Sequence, residues 1–208
     1  ARLVDEQGNI VINSEKAVEV NQWYIDLFRK LKVAPPSAPT DAYAQIIGAF
    51  QAGNTAMMAH HVGSSVMMTD TFGDNVGVLP IPVADPENPA TMGTMSGNVV
   101  FSTTDKKDAA FKFISWLSTA EPMDKWSRSR QGQLPVLKSV AERDYYSNNE
   151  FFRVSLEGGD YAIVWPPLPG VGYVASFVWQ NTMQRALLGD ISSKEMLDEI
   201  AVALREGQ

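Results

Sequence analysis

Apolar residues recur at helical spacing over several stretches of this chain, with short apolar runs and abrupt polar breaks between them. Val20, Trp23, Leu27 and Leu31, with Tyr24 and Phe28 beside them, predict an amphipathic helix over 15–31 that buries an aromatic-rich stripe. Asn13-Ser14 offers its N-cap, and the APPSAP break over 34–39 ends it. A second helix is expected over 40–52, with Gly53 as its C-terminal glycine. From Asp105 onward Ala110, Phe111, Phe113, Ile114 and Leu117, plus Trp116, predict a third. Shorter helices are expected over 121–128, 138–144 and 149–156. A long one covers 173–188, with Gly189 just past its end. Ser192 and Glu195 form a capping box for a last helix reaching about residue 205. The apolar runs 55–59, 76–79 and 98–102 read as strands, and a short strand follows the Gly8-Asn9 turn. VADPENPATMG reads as a loop, and WPPLPG (165–170) as a stiff extended connector. Strands separated by helices make the class α/β and helix-rich.

The sharpest feature is AFQAGNTAMMAHHVGSS, 49–65, where an apolar run gives way to His60-His61. In open α/β sheets ligands bind at the carboxyl ends of strands. On a strand, neighbouring side chains point to opposite faces, so these two histidines are not expected to share a metal. A histidine that bonds a ligand and one that bonds a loop carbonyl are both open readings. GTMSG (93–97) has Met95 where a nucleophile elbow needs serine, and Ser96 has no base partner identifiable in the sequence. G-x-G-x-x-A at 170–175 follows a proline-rich connector where a dinucleotide site needs a strand. Trp165, Tyr173, Phe177 and Trp179 cluster at one helix start, either as core or as a stacking surface for sugar rings. Arg128, Arg130, Gln131 and Gln133 flank Gly132 on a turn and could bond hydroxyls.

Composition narrows these readings. The 208 residues carry a net charge of −7 and no basic run, which disfavours nucleic acid and anionic membranes as partners. With no cysteine, disulfides, thiolate metal sites and cysteine nucleophiles are excluded. The longest apolar runs fall short of the roughly 20 residues of a membrane helix. Residue 1 is alanine, compatible with processing or truncation upstream.

Five segments in order, AFQAGNTAMMAHH, VGVLPIPV, GTMSGNVVFSTTDKKDAAFKFISWLSTAEPMDKW, QGQLPV and ALLGDISSKEMLDEI, resemble extracellular solute-binding proteins of sugar ABC transporters, the maltose-binding-protein-like family. The resemblance runs from about residue 8 to the end. It implies a periplasmic-binding-protein-like lobe, truncated relative to the two-lobed family fold because the first part of the N-terminal lobe has no counterpart. By that analogy 1–96 and 136–208 form the C-terminal lobe, and 97–135 belong to the N-terminal lobe. It implies sugar or polyol binding and delivery to an ABC importer, with no reaction, cofactor or metal. The implied ligand-binding residues are His60, His61, Gly63, Ser64, Thr94, Ser96, Arg130 and Gln131. Gly63 stands where the family often has an aromatic, so Phe177 or Trp179 would supply the stacking face. Implied partners are a sugar, the membrane subunits of the transporter, and the missing lobe or a second copy of the chain. The implied location is periplasmic or cell-surface. The strand at 98–102 and the helix after it are then expected to have lost their sheet and to expose apolar surface. A self-associating interaction module without ligand binding is the alternative.

Overall fold

A computed structural model describes residues 2–83, 85–130 and 132–207. In chain order the helices are α1 (Glu15–Arg29), α2 (Tyr43–Gln51), α3 (Ser65–Phe72), α4 (Lys107–Leu117), α5 (Ala120–Ser127), α6 (Lys138–Ala141), α7 (Asp144–Ser147), α8 (Glu150–Gly158), α9 (Val171–Tyr173), α10 (Trp179–Leu188) and α11 (Ser193–Glu206). A π turn, Val174–Val178, joins α9 to α10 without a break. Strands β1 (Thr91–Gly93) and β2 (Ala162–Val164) pair in parallel, with Met92 opposite Ile163. The chain divides into two units: Ala1–Met58 with Trp165–Gln208, and Ala59–Val164.

The first unit is built around α1, α10 and α11. Ala17, Asn21 and Ile25 lie four residues apart, so they share one face of α1, and that face is buried. On α11 the matching stripe is Met196, Leu197, Ile200, Ala201 and Leu204, each 1% exposed or less. Burying a side chain of this size contributes about 1.5–3 kcal/mol. Asn21 is polar yet buried, and its Nδ2 donates to Ser193 Oγ at 3.0 Å, which offsets its desolvation. The buried face of α1 is not the aromatic-rich one expected from spacing. Val20, Trp23, Tyr24 and Leu31 are exposed. The small Ala17 sits on the stripe that faces the core, and only Phe28 of the expected aromatics packs against that core. The ends of these helices follow the sequence closely. Ser192 Oγ accepts from the Glu195 amide while the Glu195 carboxylate accepts from the Ser192 amide. Gly189 takes φ +94°, and a Cβ there would also strike the Arg29 guanidinium at 2.6 Å.

The second unit has a smaller core of Val140, Tyr146 and Phe152, all at most 1% exposed. Tyr146 meets Phe152 edge-on at 5.0 Å and donates its hydroxyl to Asp124 Oδ1 at 2.8 Å. Asp124 also receives Arg128 Nε at 2.9 Å and Arg143 Nη1 at 3.1 Å. Partial burial works to raise its carboxyl, but the bonds from Arg128 and Tyr146 outweigh that and hold it below the usual carboxylate range.

Three expected strands are absent. Segments 55–59, 76–79 and 98–102 have no strand structure, and the single bridge Val4–Ile10 is all that forms beside the Gly8 turn. Apolar composition permits a strand, but a ladder needs a hydrogen-bonding partner, and among the described residues these runs pair with none. Part of the stretch expected as a loop, Thr91–Gly93, has such a neighbour in β2 and pairs.

Candidate functional site

The histidine turn lies in the second unit. His60 and His61 precede a 3-10 turn, Val62–Ser64, and are not on a strand. Their rings are therefore neighbours, with centroids 4.6 Å apart, where strand geometry would have separated them. His61 caps the turn: its Nδ1 accepts the Gly63 amide at 3.0 Å, which places the ring proton of neutral His61 on Nε2. Ser64 Oγ donates to the His61 carbonyl at 3.0 Å, so His60 Nδ1, 2.8 Å away, donates to Ser64 Oγ. Ser64 is buried, and its proton is committed to that carbonyl, so the hydroxyl locks the turn. Partial desolvation, then the neighbouring His60, hold the His61 imidazole below its ordinary value. Among the described residues no group of three or more His, Cys, Asp or Glu side chains gathers at a metal-binding spacing.

A second turn packs against this one through backbone. A Cβ on Gly63 would come within 2.7 Å of the Gly132 carbonyl oxygen, and one on Gly132 within 2.1 Å of the Ser127 carbonyl oxygen. Only glycine allows both approaches. Arg130 Nη2 then reaches Asp70 Oδ2 on α3 at 2.9 Å, with both side chains exposed. Gln133 Nε2 donates to Ser96 Oγ at 3.3 Å. The structure thus brings His60, His61, Gly63 and Ser64 to the turn that carries Arg130, and ties Ser96 to the same turn. Thr94 is exposed just past β1. Gln131 lies outside the described residues.

Phe177 and Trp179 lie in the first unit. Phe177 and Tyr173, four residues apart across the α9–π turn, place their rings 5.5 Å apart at 33°, each 64% exposed. Trp179 is half-buried against the unit's core. All three line an open groove of about 1020 Å³ together with Asp41, Tyr43 and Gln180. Among the described residues its charged lining is Asp41 and Glu199, and Glu199 is paired with Arg185 at 2.7 Å. The groove joins apolar ring faces to amide and hydroxyl groups, and among the described residues its lining includes no lysine or arginine. Such a lining offers stacking faces together with hydrogen-bond partners. A smaller cavity of about 440 Å³, lined by Glu15, Val18, Gln22 and Ser193, has no aromatic and so no stacking face. Asp41 and Tyr43 were not singled out from the sequence. The available signal was an aromatic just after a proline-rich break, at the first turn of α2.

A family model described as bacterial extracellular solute-binding protein matches residues 3–154. A candidate binding protein of Brucella abortus is 24% identical over 203 residues, which cover 96% of this chain and 48% of that protein. The chain therefore spans about half the length of the curated relatives it matches. Among solved structures, maltose-bound MalE3 of T. maritima is 27% identical with a TM-score of 0.82, over 99% of this chain and 54% of that one. An ABC transporter solute-binding protein of Thermotoga lettingae bound to α-D-tagatose has a TM-score of 0.81 at 20% identity, over 99% and 53%. The GacH receptor of Streptomyces glaucescens, solved unliganded and with acarbose, has 0.82 at 22%, over 99% and 53%. These last two show the fold, which is periplasmic-binding-protein-like.

Proposed function

We propose, from the premise that this chain belongs to the bacterial extracellular solute-binding protein family, that it supplies ligand-binding surface to a protein that captures a neutral sugar or polyol for an ABC importer. Proteins of this kind bind solutes and perform no reaction on them. The observation that carries the reading is the exposed Tyr173–Phe177 pair in a groove lined by amides and hydroxyls, with no lysine or arginine in its lining among the described residues. Sugar rings stack their C–H faces on such aromatics, and their hydroxyls take up polar partners. The maltose, tagatose and acarbose named for the structural relatives are ligands of the same chemical type.

On this reading Phe177 and Trp179 contribute the apolar face, with Tyr43 and Gln180 beside them. His60, His61, Gly63, Ser64, Thr94, Ser96, Arg130 and Gln131 are proposed as ligand contacts in their own right. The expected location is periplasmic or cell-surface, and the expected partners are the membrane subunits of the transporter. Segment 97–135 is proposed to belong, in the whole protein, to the lobe whose first part is not in this chain. The chain would then act together with further polypeptide of the family fold. Self-association without ligand binding is the competing reading, favoured by the apolar surface that the second unit exposes.

Thermal shift and calorimetric titration with maltose, tagatose and glucose 6-phosphate test the ligand reading. The neutral sugars are expected to raise the melting temperature and the phosphorylated one is not. Phe177→Ala with Tyr173→Ala should weaken neutral-sugar binding about tenfold, from the stacking contribution of two rings. No shift with any neutral sugar, or equal binding by the double variant, would sink the proposal.

A further inference from the structure

We propose that the π turn Val174–Val178 carries one inserted residue that sets the preference of the groove, aligning Tyr173 and Phe177 into a single platform for a sugar in ring form and against an open-chain polyol. The proposal rests on the reading of the groove as a sugar or polyol site. It names the substrate class and the element that selects it.

The Trp179 amide donates to the Val174 carbonyl, five residues back, where an α-helix closes on the fourth. The turn is therefore one residue wider than its neighbours, and single wide turns inside α-helices occur frequently at functional sites. The core does not use the extra residue. Val174 and Ala186, twelve positions apart, are both buried in the same core. At 3.6 residues per turn, twelve α-helical steps would leave them about 120° apart round the axis. Counting out the inserted residue leaves eleven steps and a separation of about 20°. Between them Thr182 is buried and Val178 packs against that core. The Thr182 hydroxyl donates to the Val178 carbonyl at 2.8 Å, which secures the exit of the wide turn from the buried side. A plain α-helix one residue shorter would bury the same side chains.

The surplus is spent on the outer side. Tyr173, Ser176 and Phe177 are exposed and line the groove. Across the wide turn the two rings lie 5.5 Å apart with their planes 33° from parallel, so they offer one nearly continuous apolar face. In the shorter α-helix they would stand three positions apart, about 60° round the axis, and their faces would splay. A sugar ring presents a flat, preformed C–H face to such a platform. An open-chain polyol has no such face and must first give up rotational freedom to lie flat. The amides and hydroxyls of the groove serve both ligands, and the aligned rings serve only the cyclic one.

The test compares maltose with sorbitol by calorimetric titration of the whole chain, in the native sequence and in chains lacking either Ser176 or Ala175. The native chain is expected to bind maltose about tenfold more tightly than sorbitol, from stacking on two rings. Each deletion should melt no lower than the native chain and bring that ratio down to about twofold, because the rings remain but no longer align. Ser176→Ala, which keeps the wide turn and both rings, should leave the ratio unchanged. A deletion that melts like the native chain and keeps the full preference would overturn the proposal. So would loss of folding in both deletions, since the core would then need the inserted residue. A fall in the ratio for Ser176→Ala as large as for the deletions would assign the preference to the hydroxyl and also overturn it. Equal binding of maltose and sorbitol by the native chain removes this proposal and leaves the sugar or polyol reading standing, whereas silence with both ligands removes the two together.

Discussion

The two units are similarly endowed with apolar sequence and differ in what they do with it. In the first, α1, α10 and α11 present matching stripes, and Ile25, Val174, Ala186 and the α11 positions from Met196 to Leu204 close into one core. In the second, three residues close a core, and a helix at least as apolar as any of these stays open to water on one side. An amphipathic pattern thus reports what a segment is able to bury. Whether burial happens depends on a complement, and the first unit contains its own.

The largest effects that could break this comparison come from truncating the closed core. Ile200→Ala is expected to destabilise the first unit by about 2–5 kcal/mol, read by chemical denaturation. Phe113→Ala, a larger deletion of apolar volume, should change the stability of the chain alone by less than about 0.5 kcal/mol, as exposed positions do. Equal losses would mean that α4 is packed after all. Ser192→Ala should cost about 1 kcal/mol, because it removes one half of a complete capping box. The smallest effect sharpens the contrast by pH. His61 is held below its ordinary value near 6.5, so between the two pKa values the unfolded chain binds more protons than the folded one. Its contribution to stability is full above the unfolded value and is lost as pH falls through the folded one. Melting of the second unit should therefore fall between pH 7.5 and 5 more in the native chain than in His61→Asn, whose amide oxygen can still cap Gly63. Identical slopes would remove His61 from the account.

Local signals were legible where the structure needs only neighbours in sequence. The capping box at Ser192, the turn glycine at 189 and the start of α1 after Ser14 all fall where the residues place them. Non-local features were not legible. Residues 98–102 read as a strand from composition, and their side chains are exposed in the structure because pairing depends on a partner at a distance. Thr91–Gly93 looked like loop and pairs because Ala162–Val164 comes alongside. The face of α1 that is buried was set by α11, some 170 residues later, with Asn21 bonding Ser193. The same limit applies to the candidate site. The Phe177 ring could be singled out from its own helix, but its place in one groove with Tyr43 is a fact of tertiary structure.

The division of the chain has a consequence for its synthesis. The first unit is assembled from both flanks of the sequence, and the second is a continuous stretch between them. Helix α1 therefore leaves the ribosome long before α11 exists to cover Ala17, Asn21 and Ile25. The whole of 59–164 must emerge, and can fold, during that wait. Completing the first unit requires closing this large loop, at an entropic cost that grows slowly with its length. A nascent chain stalled before α11 would leave the Ala17, Asn21 and Ile25 face of α1 uncovered.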